Sequence, residues 1–395
     1  MPSLPLHEKC TACGACIAIC PQKCLSFETD ELDNCYPTVT CSDKCTNCNL
    51  CIKVCPIINE NVLRTPLKAF AGWSTDSELR SKSASGGIAS ALYRFAKSKG
   101  YHCFGAIQNK NRDVVIQEYD DTSNERVYQN SKYVYSDIGA AMDKIKGYLT
   151  SKCKVLVVGL PCQIAGLKKY LNKNYDDLIT IDLICHGVCS SVYLKQHIKN
   201  IEEKAGIVAD NISFRDPAFN TENFHFTLTN HEGNTFYNKT VNEDDIYQIG
   251  YHKAITYREN CYHCVFANSK RIGDLTLGDY WRIGEFYPFS YSKHKVSLIY
   301  ANTKHGLSIL NDAIDAGGVF CVERPIEEAI KVQGQLNKPS MITKEHKTFV
   351  LLYKKKRNFE IAGKKAMRLY LLENRFGCHK LFKVYRKLRR AITGS

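Results

Sequence analysis

A cysteine pattern that occurs twice near the N-terminus constrains this chain more than any other feature of its sequence. The runs Cys10–Pro21 and Cys45–Pro56 both read C-x2-C-x2-C-x3-C-P, and eleven of the 20 cysteines lie in the first 55 residues. Such a density predicts either a secreted disulfide framework or thiolates that bind metal. No apolar signal-peptide run precedes the cysteines, and no stretch of 18 apolar residues follows them. We therefore expect a cytoplasmic protein whose reduced thiols act largely as metal ligands.

The spacing of the repeat is that of bacterial ferredoxins, which hold two [4Fe-4S] clusters. In that arrangement three closely spaced thiolates bind one cluster, and the fourth cysteine, one helical turn further on, binds the other cluster. Pro21 and Pro56 are expected to end the short helices after the fourth ligands. The expected ligands are Cys10, Cys13, Cys16 and Cys55 for one cluster, and Cys45, Cys48, Cys51 and Cys20 for the other.

Zinc is the alternative metal, because zinc sites also use four cysteines in CxxC pairs. A zinc site does not require three consecutive cysteines at x2 spacing followed by x3-C-P, twice, so the pattern favours clusters. Cys24, Cys35 and Cys41 lie between the two copies and fit neither, and we interpret them as small buried hydrophobic residues. Two such clusters predict a protein that moves electrons one at a time.

Two predicted strands in the middle of the chain end close to a cysteine. Residues 155–170 have the pattern of a buried strand, a tight turn with Cys162 and a helix, and residues 178–187 that of a second strand followed by Cys185. This alternation predicts a parallel α/β unit, in which ligands bind at the carboxyl ends of the strands. We therefore expect Cys162 and Cys185 side by side.

Three further segments have patterns that are weak on their own. Ser83–Gly87 precedes a helical pattern and offers backbone N–H groups to phosphate, and a plain helix cap explains it equally well. Cys261 and Cys264 form a single CxxC, which fits a redox pair, a zinc site or chance. Arg271–Trp281 has the pattern of a strand with Gly-Asp turns.

Taken together and in this order, the segments resemble the coenzyme F420 hydrogenase/dehydrogenase beta-subunit family. The matching stretches are Ser83–Gly87, Gly159–Gln163, Asp182–Gly187, Cys261–Cys264 and Gly273–Trp281, within a likeness from about Ala69 to about Arg324. The resemblance implies a flavoprotein that binds FAD and holds a third [4Fe-4S] cluster near it. It also implies electron exchange with a two-electron partner, either a coenzyme like F420 or another organic substrate.

The resemblance also implies roles for individual residues. The implied ligands of the third cluster are Cys162, Cys185, Cys261 and Cys264. The family often has Pro-Ser where this chain has Cys189-Ser190, so Cys189 is an alternative to Cys185. The implied flavin contacts are Ser83, Ser85, Gly86 and Gly87, with Gln163, His186 and Asp279 lining the same site. His186 and His263 are the expected proton donors for a substrate that needs one, and a structural role is the alternative for each.

The net charge of +14 is concentrated at the C-terminus. Residues 351–395 contain 14 Lys or Arg against Glu360 and Glu373, which accounts for +12. The segment Leu381–Ile392 predicts a basic amphipathic helix. Such a helix contacts a membrane surface or an anionic partner, or packs on its own domain with a solvated basic face. No nucleic-acid-binding motif accompanies the charge, so nucleic acid is not an expected partner.

These patterns predict a mixed α/β fold in four parts. We expect a ferredoxin-like domain at residues 1–64, a flavin-binding α/β region at residues 65–150 and 151–340, and a basic helical tail at residues 341–395. The expected function is an iron–sulfur flavoprotein oxidoreductase with a redox partner protein at its ferredoxin domain. The expected location is cytoplasmic, with the inner membrane surface as a further possibility. The alternative function is an electron-transfer subunit that serves a partner enzyme and has no catalytic site of its own.

Overall fold

The computed structural model describes residues 2–119, 126–377 and 384. The chain divides into two compact units. The first unit comprises the chain up to Asp30, Asn34–Gly187 and Arg258–Ser340, and the second comprises Glu31–Asp33, Val188–Tyr257 and the chain from Met341 onward. Both helices and strands occur in each unit, so the mixed α/β class expected from the sequence is confirmed.

The described strands and helices are numbered along the chain. The strands are β1 Leu25–Thr29, β2 Cys35–Val39, β3 Lys68–Ser74, β4 His102–Gln108, β5 Val114–Tyr119, β6 Ser136–Asp137, β7 Val155–Gly159, β8 Leu178–Leu183, β9 Asn211–Ser213, β10 Phe226–Thr229, β11 Thr235–Lys239, β12 Leu275–Asp279, β13 Ser297–Ala301 and β14 Val319–Arg324. The helices are α1 Ala15–Ala18, α2 Leu50–Lys53, α3 Ser77–Ser81, α4 Ile88–Ser98, α5 Gly139–Thr150, α6 Pro161–Leu171, α7 Ser191–Ala205, α8 Ile246–His252, α9 Glu259–Tyr262, α10 Lys304–Asp315, α11 Ile326–Val332, α12 Lys344–Lys356, α13 Phe359–Ala366 and α14 Arg368–Phe376.

The sequence repeat at the N-terminus is also a repeat of structure. Helices α1 and α2 start at equivalent positions of the two copies, and β1 pairs with β2 in antiparallel fashion between them. Each loop before a helix has two residues with left-handed backbone, Ala12 and Gly14 in the first copy and Asn47 and Asn49 in the second. Tight loops with left-handed residues can form concavities lined by backbone N–H groups, a geometry that favours anionic groups such as iron–sulfur clusters.

A nine-stranded mixed sheet forms the centre of the first unit, in the order β14-β3-β13-β12-β8-β7-β4-β5-β6. Strands β4, β7, β8 and β12 are parallel to one another. Strand β3 runs in the same direction, because β13 is antiparallel both to β12 and to β3. The carboxyl ends of β3, β12, β8 and β7 therefore meet at one side of the sheet, which we call the carboxyl edge. Ligands of open α/β sheets bind at such an edge.

Both faces of this sheet are covered, which explains why β7 has apolar residues at nearly every position. Leu156 and Val158 of β7 pack with α4 and α10 on one face. Val155 and Val157 pack on the opposite face with α5 and α6, and Ala15 of α1 joins the same hydrophobic cluster. The N-terminal repeat thus shares a core with the sheet inside the first unit.

The second unit combines a three-stranded antiparallel sheet, β11-β10-β9, with helices α7, α8 and α12 to α14. Its core is rich in aromatic rings, and Tyr193 of α7 packs against Phe349, Tyr353 and Phe359. Of the predicted amphipathic helix Leu381–Ile392, all residues except Val384 lie outside the described residues. No helix in the described part of the chain is long and apolar enough to cross a membrane.

Candidate iron–sulfur centres

The first set of thiols is Cys10, Cys13, Cys16 and Cys55. The first three lie on the loop before α1 and in α1 itself, and all four are buried. Burial is the main reason why the pKa of Cys13 rises to about 12, and the nearby Cys10 and Cys55 raise it further. Burial also raises the pKa of Cys16, with contributions from Cys13, Cys10 and Cys55. The structure thus places Cys55 from the second copy of the repeat beside three thiols of the first copy.

The second set of thiols is Cys20, Cys45, Cys48 and Cys51, all of which line one small cavity. Burial alone would raise the pKa of Cys20, but hydrogen bonds from Cys24 and from the backbone N–H groups of Gln22 and Lys23 lower it. A lowered pKa favours the thiolate, which is the form that binds metal. Cys48 is exposed, so this set reaches the protein surface.

Cys24 lies in the same cavity as a fifth thiol. Its Sγ is 3.5 Å from the Sγ of Cys20. Its spacing fits neither copy of the repeat, so the cysteine pattern provides no reason to assign it to this set. Cys24 is buried, as expected for a small hydrophobic residue. It also shares a hydrogen bond with the predicted ligand Cys20, in which either thiol can be the donor.

The third set of thiols is Cys162, Cys185, Cys261 and Cys264, which come from three separate segments. Cys162 lies in the first turn of α6 directly after β7, Cys185 follows β8, and Cys261 and Cys264 lie in and just after α9. Burial raises the pKa of Cys162 well above its usual value, and the charges of Cys264, Cys185 and Cys261 add to this. The other three thiols are therefore near enough to Cys162 to affect its pKa.

Cys189, the alternative to Cys185, belongs to the second unit. It is fully buried, its Sγ lies 3.1 Å from Oγ1 of Thr256, and its backbone pairs with Tyr257. Cys185 by contrast lies with Cys261 and Cys264, and both of these raise its pKa in addition to burial. The geometry therefore favours Cys185 as the member of the third set.

A buried ion pair holds the segments of the third set in place. Nη2 of Arg271 lies 2.7 Å from Oδ1 of Asp182, and the two side chains are 2% and 0% exposed. Arg271 also donates to the carbonyls of Leu183, Phe266 and Asn268. It thereby ties the end of β8, just before Cys185, to the loop that follows Cys264.

Asp182 completes this connection from the other side. Its Oδ2 accepts hydrogen bonds from the backbone N–H groups of Ile272, at 3.1 Å, and Gly273, at 2.8 Å. Both carboxylate oxygens thus have partners, as a buried charge requires. The sequence signal for this pair was a carboxylate within the apolar strand β8, where only a satisfied charge is tolerated.

The first and third sets approach each other through α6. Gly166 lies one helical turn after Cys162, and a Cβ at Gly166 would come within 2.7 Å of the Sγ of Cys13. Only glycine therefore allows the thiol of Cys13 to lie against the helix that carries Cys162. In agreement with this approach, Cys13 is one of the groups that raise the pKa of Cys162, after burial and the other thiols of the third set.

The thiol sets suit clusters in several respects. Every cysteine in the described part of the chain is free rather than in a disulfide. Within the same residues, no three His, Cys, Asp or Glu side chains converge closely enough to hold a single metal ion. The four thiolates of a [4Fe-4S] cluster bind four different irons. Backbone N–H groups of Ala12 and Ala15 also hydrogen-bond to the thiols of Cys10 and Cys13 in the first set.

The predicted flavin loop Ser83–Gly87 follows α3 and ends at the start of α4, and the carbonyl of Gly86 accepts from the N–H of Ser74 at the carboxyl end of β3. Its hydroxyls already have partners in the protein, because Ser83 donates to the carbonyl of Leu79 and Ser85 to that of Val296. The N–H of Gly86 donates to Oγ of Ser297 at 3.0 Å. A Cβ at Gly86 would lie 2.5 Å from the carbonyl oxygen of Gly72, so this position requires glycine.

Asp279 and His186 lie at the same edge. Leu277 pairs with Leu183 in parallel register, so Asp279, two residues later on β12, lies level with Cys185. Although the His186 side chain reaches solvent, the protein around it lowers the pKa of its imidazole, and the Asp279 carboxylate partly opposes this. The lowered pKa favours the neutral imidazole, which can both donate and accept a hydrogen bond.

Gln163 and His263 are placed differently from one another. The Gln163 amide is buried, donates to the carbonyl and hydroxyl oxygens of Ser136, and accepts from the N–H of Leu160. These bonds fix the first turn of α6, where Cys162 lies. His263 is exposed between Cys261 and Cys264, with Nε2 3.9 Å from Oε1 of Glu259.

Comparison with known proteins places the chain in a family. One similar solved structure is a chain of the F420-reducing [NiFe] hydrogenase complex from Methanosarcina barkeri, in a structure of the xenon-derivatized complex. The two chains are 18% identical with a TM-score of 0.45, over 80% of this chain and 93% of that chain. No curated protein matches the chain. The family profile for the C terminus of the beta subunit of coenzyme F420 hydrogenase/dehydrogenase matches residues 152–365, which is more than half of the chain. This chain therefore belongs to the coenzyme F420 hydrogenase/dehydrogenase beta-subunit family.

Proposed function

We propose that this chain is an iron–sulfur flavoprotein that relays electrons for an oxidoreductase. It would hold three [4Fe-4S] clusters, one at each set of thiols, and FAD at the carboxyl edge. The observation that carries the proposal is the grouping of twelve thiols into three sets of four within one compact unit. Clusters of this type accept and release single electrons, and a flavin exchanges two. Such a chain converts between one-electron and two-electron chemistry.

The order of the three sets of thiols supports a route for electrons through the first unit. Cys48 of the second set is exposed, which suits contact with a redox partner protein. The two copies of the repeat exchange their fourth cysteines, Cys20 and Cys55, so the first and second sets are interleaved. Cys13 of the first set lies against α6 beside Cys162 of the third set. In this proposal residues 1–64 form the ferredoxin-like domain, residues 65–150 and 151–340 form the flavin-binding region, and the residues from 341 onward are the tail.

The flavin would lie next to the third set. Asp279 and His186 lie beside Cys185 at the carboxyl edge, and the loop Ser83–Gly87 contacts the end of β3 at the same edge. Ser83, Ser85 and the N–H of Gly86 are bonded within the protein, so in this proposal phosphate would be received by the other backbone N–H groups at the start of α4. Gln163 would act indirectly, by fixing the first turn of α6.

Substrate chemistry at this edge would use the chain's own histidines. His186 follows Cys185 directly and feels the charge of Asp279, and its lowered pKa favours the neutral imidazole, so it would hold a proton for an organic substrate or a coenzyme such as F420. His263 lies at the surface near Glu259 and is the second residue to test for this role. A hydride step itself needs no protein nucleophile.

Anaerobic purification followed by iron, sulfide and flavin assays tests the proposal directly. We expect about twelve irons and one flavin per chain, with the brown colour of iron–sulfur proteins. About eight irons without flavin would contradict the third cluster and the FAD site. Zinc in place of iron would contradict all three clusters.

A second function is that of an electron-transfer subunit without a catalytic site of its own. The exposure of Cys48 favours it, because a cluster that reaches the surface serves exchange with another protein. The isolated chain, loaded with clusters and flavin, distinguishes the two functions. Reduction of small organic acceptors by that chain supports the enzyme, and cluster reduction without turnover supports the subunit.

A further inference from the structure

Arg258 is buried in the first unit immediately before α9. Its side chain is 1% exposed, and it is among the largest fully buried side chains of the described chain. Nη2 donates to the carbonyl oxygen of Cys35 at 2.9 Å, and Nε donates to Oδ1 of Asn260 at 3.3 Å. The guanidinium also lies between two rings, 4.6 Å from the centroid of Tyr36 and 4.9 Å from that of Tyr135. All of these partners are neutral groups.

A buried guanidinium normally has a carboxylate partner, because an uncompensated charge in the interior is strongly unfavourable. Arg271, in the same unit, has such a partner in Asp182. No carboxylate pairs with Arg258 among the residues that the structure describes. The Sγ of Cys35 lies 3.8 Å from Nη1, but a cysteine sulfur is only a weak acceptor. Arginine stays protonated at all pH values of interest, so its charge cannot be lost instead.

Predicted ligands of two different clusters lie within electrostatic range of this cation. The charge of Arg258 lowers the pKa of Cys10 in the first set, against the effect of burial. Cys261 of the third set in turn helps to raise the pKa of Arg258. Tyr135, one of the two flanking rings, donates its hydroxyl to the carbonyl of Ala12 in the loop of the first set. Asn260, which accepts from Nε, precedes Cys261 in α9. The guanidinium therefore connects the surroundings of both sets.

We propose that Arg258 is the shared counter-charge of the clusters held by the first and third sets. A [4Fe-4S] cluster with four thiolates is anionic and gains one more negative charge when it takes up an electron. A fixed cation beside two such clusters stabilises the reduced state of each and raises both reduction potentials. Arg258 thus acts electrostatically on the reduction potentials of the two clusters and is not itself a ligand. This inference rests on the proposed function, since it requires clusters at these two sets.

Redox titration followed by electron paramagnetic resonance tests the inference on the complete, cluster-loaded chain. In Arg258→Gln we expect the reduction equilibrium constants of two of the three clusters to fall at least tenfold, a shift of about 59 mV for one electron. The second cluster serves as an internal reference and should change much less. Arg258→Lys keeps the charge and should leave all three potentials close to those of the parent protein. The control Arg94→Gln removes a charge from a surface pair that is 44% exposed and should have no effect.

Each result of this experiment decides the inference. Unchanged potentials in Arg258→Gln with full iron content would overturn it, and so would equal shifts in the Lys and Gln variants. If Arg258→Gln binds fewer irons than the parent protein, Arg258→Lys distinguishes the two explanations. Full iron content and parental potentials in Arg258→Lys would support a counter-charge. Loss of iron from both variants would show a purely structural role. Absence of iron from the parent protein would instead refute the proposed function.

Discussion

Arg258 in the first unit and His197 in the second are both buried cations, but their charges are balanced in different ways. His197 is 3% exposed and lies between two carboxylates, with Nε2 2.9 Å from Asp245 and Nδ1 2.6 Å from Glu360. Burial alone would lower the pKa of its imidazole, but these carboxylates raise it to about 9. The partners of Arg258 in the described part of the chain are carbonyl, amide, sulfur and aromatic groups.

The comparison indicates that the two units differ in what they need to be stable. The second unit supplies its own counter-charges, so its stability should depend on pH and not on iron. In the first unit Arg271 is paired with Asp182, whereas the charge of Arg258 matches thiolates and the clusters that we propose on them. Changes around these clusters should therefore alter iron content and redox behaviour. Each of the following variants tests one side of this difference.

The largest effect is expected from Asp182→Asn, which breaks the ion pair with Arg271 beside the third set. Removal of one partner from a buried pair typically costs about 3–5 kcal/mol, because the remaining charge has no partner. The substitution would also weaken the hydrogen bonds that Asp182 accepts from Arg271 and from the N–H groups of Ile272 and Gly273. We expect a lower midpoint in thermal unfolding and a loss of about four irons per chain.

The surface variant Arg94→Gln is the matched control for this prediction. It breaks a pair in which both side chains are 44% exposed, and such pairs contribute at most about 1 kcal/mol. Asp182→Asn protein with full iron content and the parental unfolding midpoint would show that the buried pair does not hold the third set.

A pH effect of intermediate size is expected in the second unit. The pKa of His197 is raised from 6.5 to about 9, so its stabilising contribution is complete below pH 6.5 and is lost as the pH rises toward 9. The loss is on the order of 3 kcal/mol over that window. Hydrogen exchange of the backbone between Val188 and Tyr257, corrected for intrinsic rates, measures it. His197→Gln should be less stable than the parent protein at pH 6.5 and should lack this pH dependence.

The control for this effect is His225→Asn in the same unit. The Nδ1 of His225 lies 2.8 Å from the Asn238 amide oxygen and faces no carboxylate in the described contacts, so its replacement should preserve the pH profile. Iron content should be the same in all three proteins. A His197→Gln variant that lost iron would contradict the division between the two units.

The sequence predicted the first and second sets of thiols more completely than the third. Their eight cysteines lie in two short runs, so local spacing alone indicates which thiols can share a cluster. For the third set, strand patterns predicted that Cys162 and Cys185 lie together, but only the family resemblance connected them to Cys261 and Cys264. These assignments as ligands remain predictions, although the structure brings each set of four together.

Other parts of the site had no sequence signal, because they depend on contacts between distant segments. An arginine three positions before a cysteine looks like a surface residue, and only the packing of Tyr36 and Tyr135 around Arg258 reveals a buried cation. Gly166 looks like an ordinary helix residue until Cys13 is placed against it. The bonded hydroxyls of Ser83 and Ser85 were likewise not visible in the pattern of the loop.

The smallest effect is expected from Gly166→Ala, which tests the approach of the first set to α6. The new methyl group would meet the Sγ of Cys13 at 2.7 Å, so either the loop of the first set or the helix must move. Such overpacking typically costs about 1–3 kcal/mol, which exceeds the gain of up to about 1 kcal/mol from alanine in a helix. Because Cys13 is a predicted ligand, the variant should also show an altered paramagnetic signal from the first cluster.

Gly147→Ala in α5 provides the matched control, because a Cβ there would meet no other atom within 4 Å. With no contact to oppose it, this substitution should stabilise the helix by about 0.5–1 kcal/mol and leave the cluster signal unchanged. Opposite signs for two glycine-to-alanine changes in neighbouring helices would therefore isolate the contact with Cys13 from helix propensity. Equal behaviour of the two variants would mean that the thiol of Cys13 can move away from α6 at no cost, and the proposed route from the first set to the third would lose its main support.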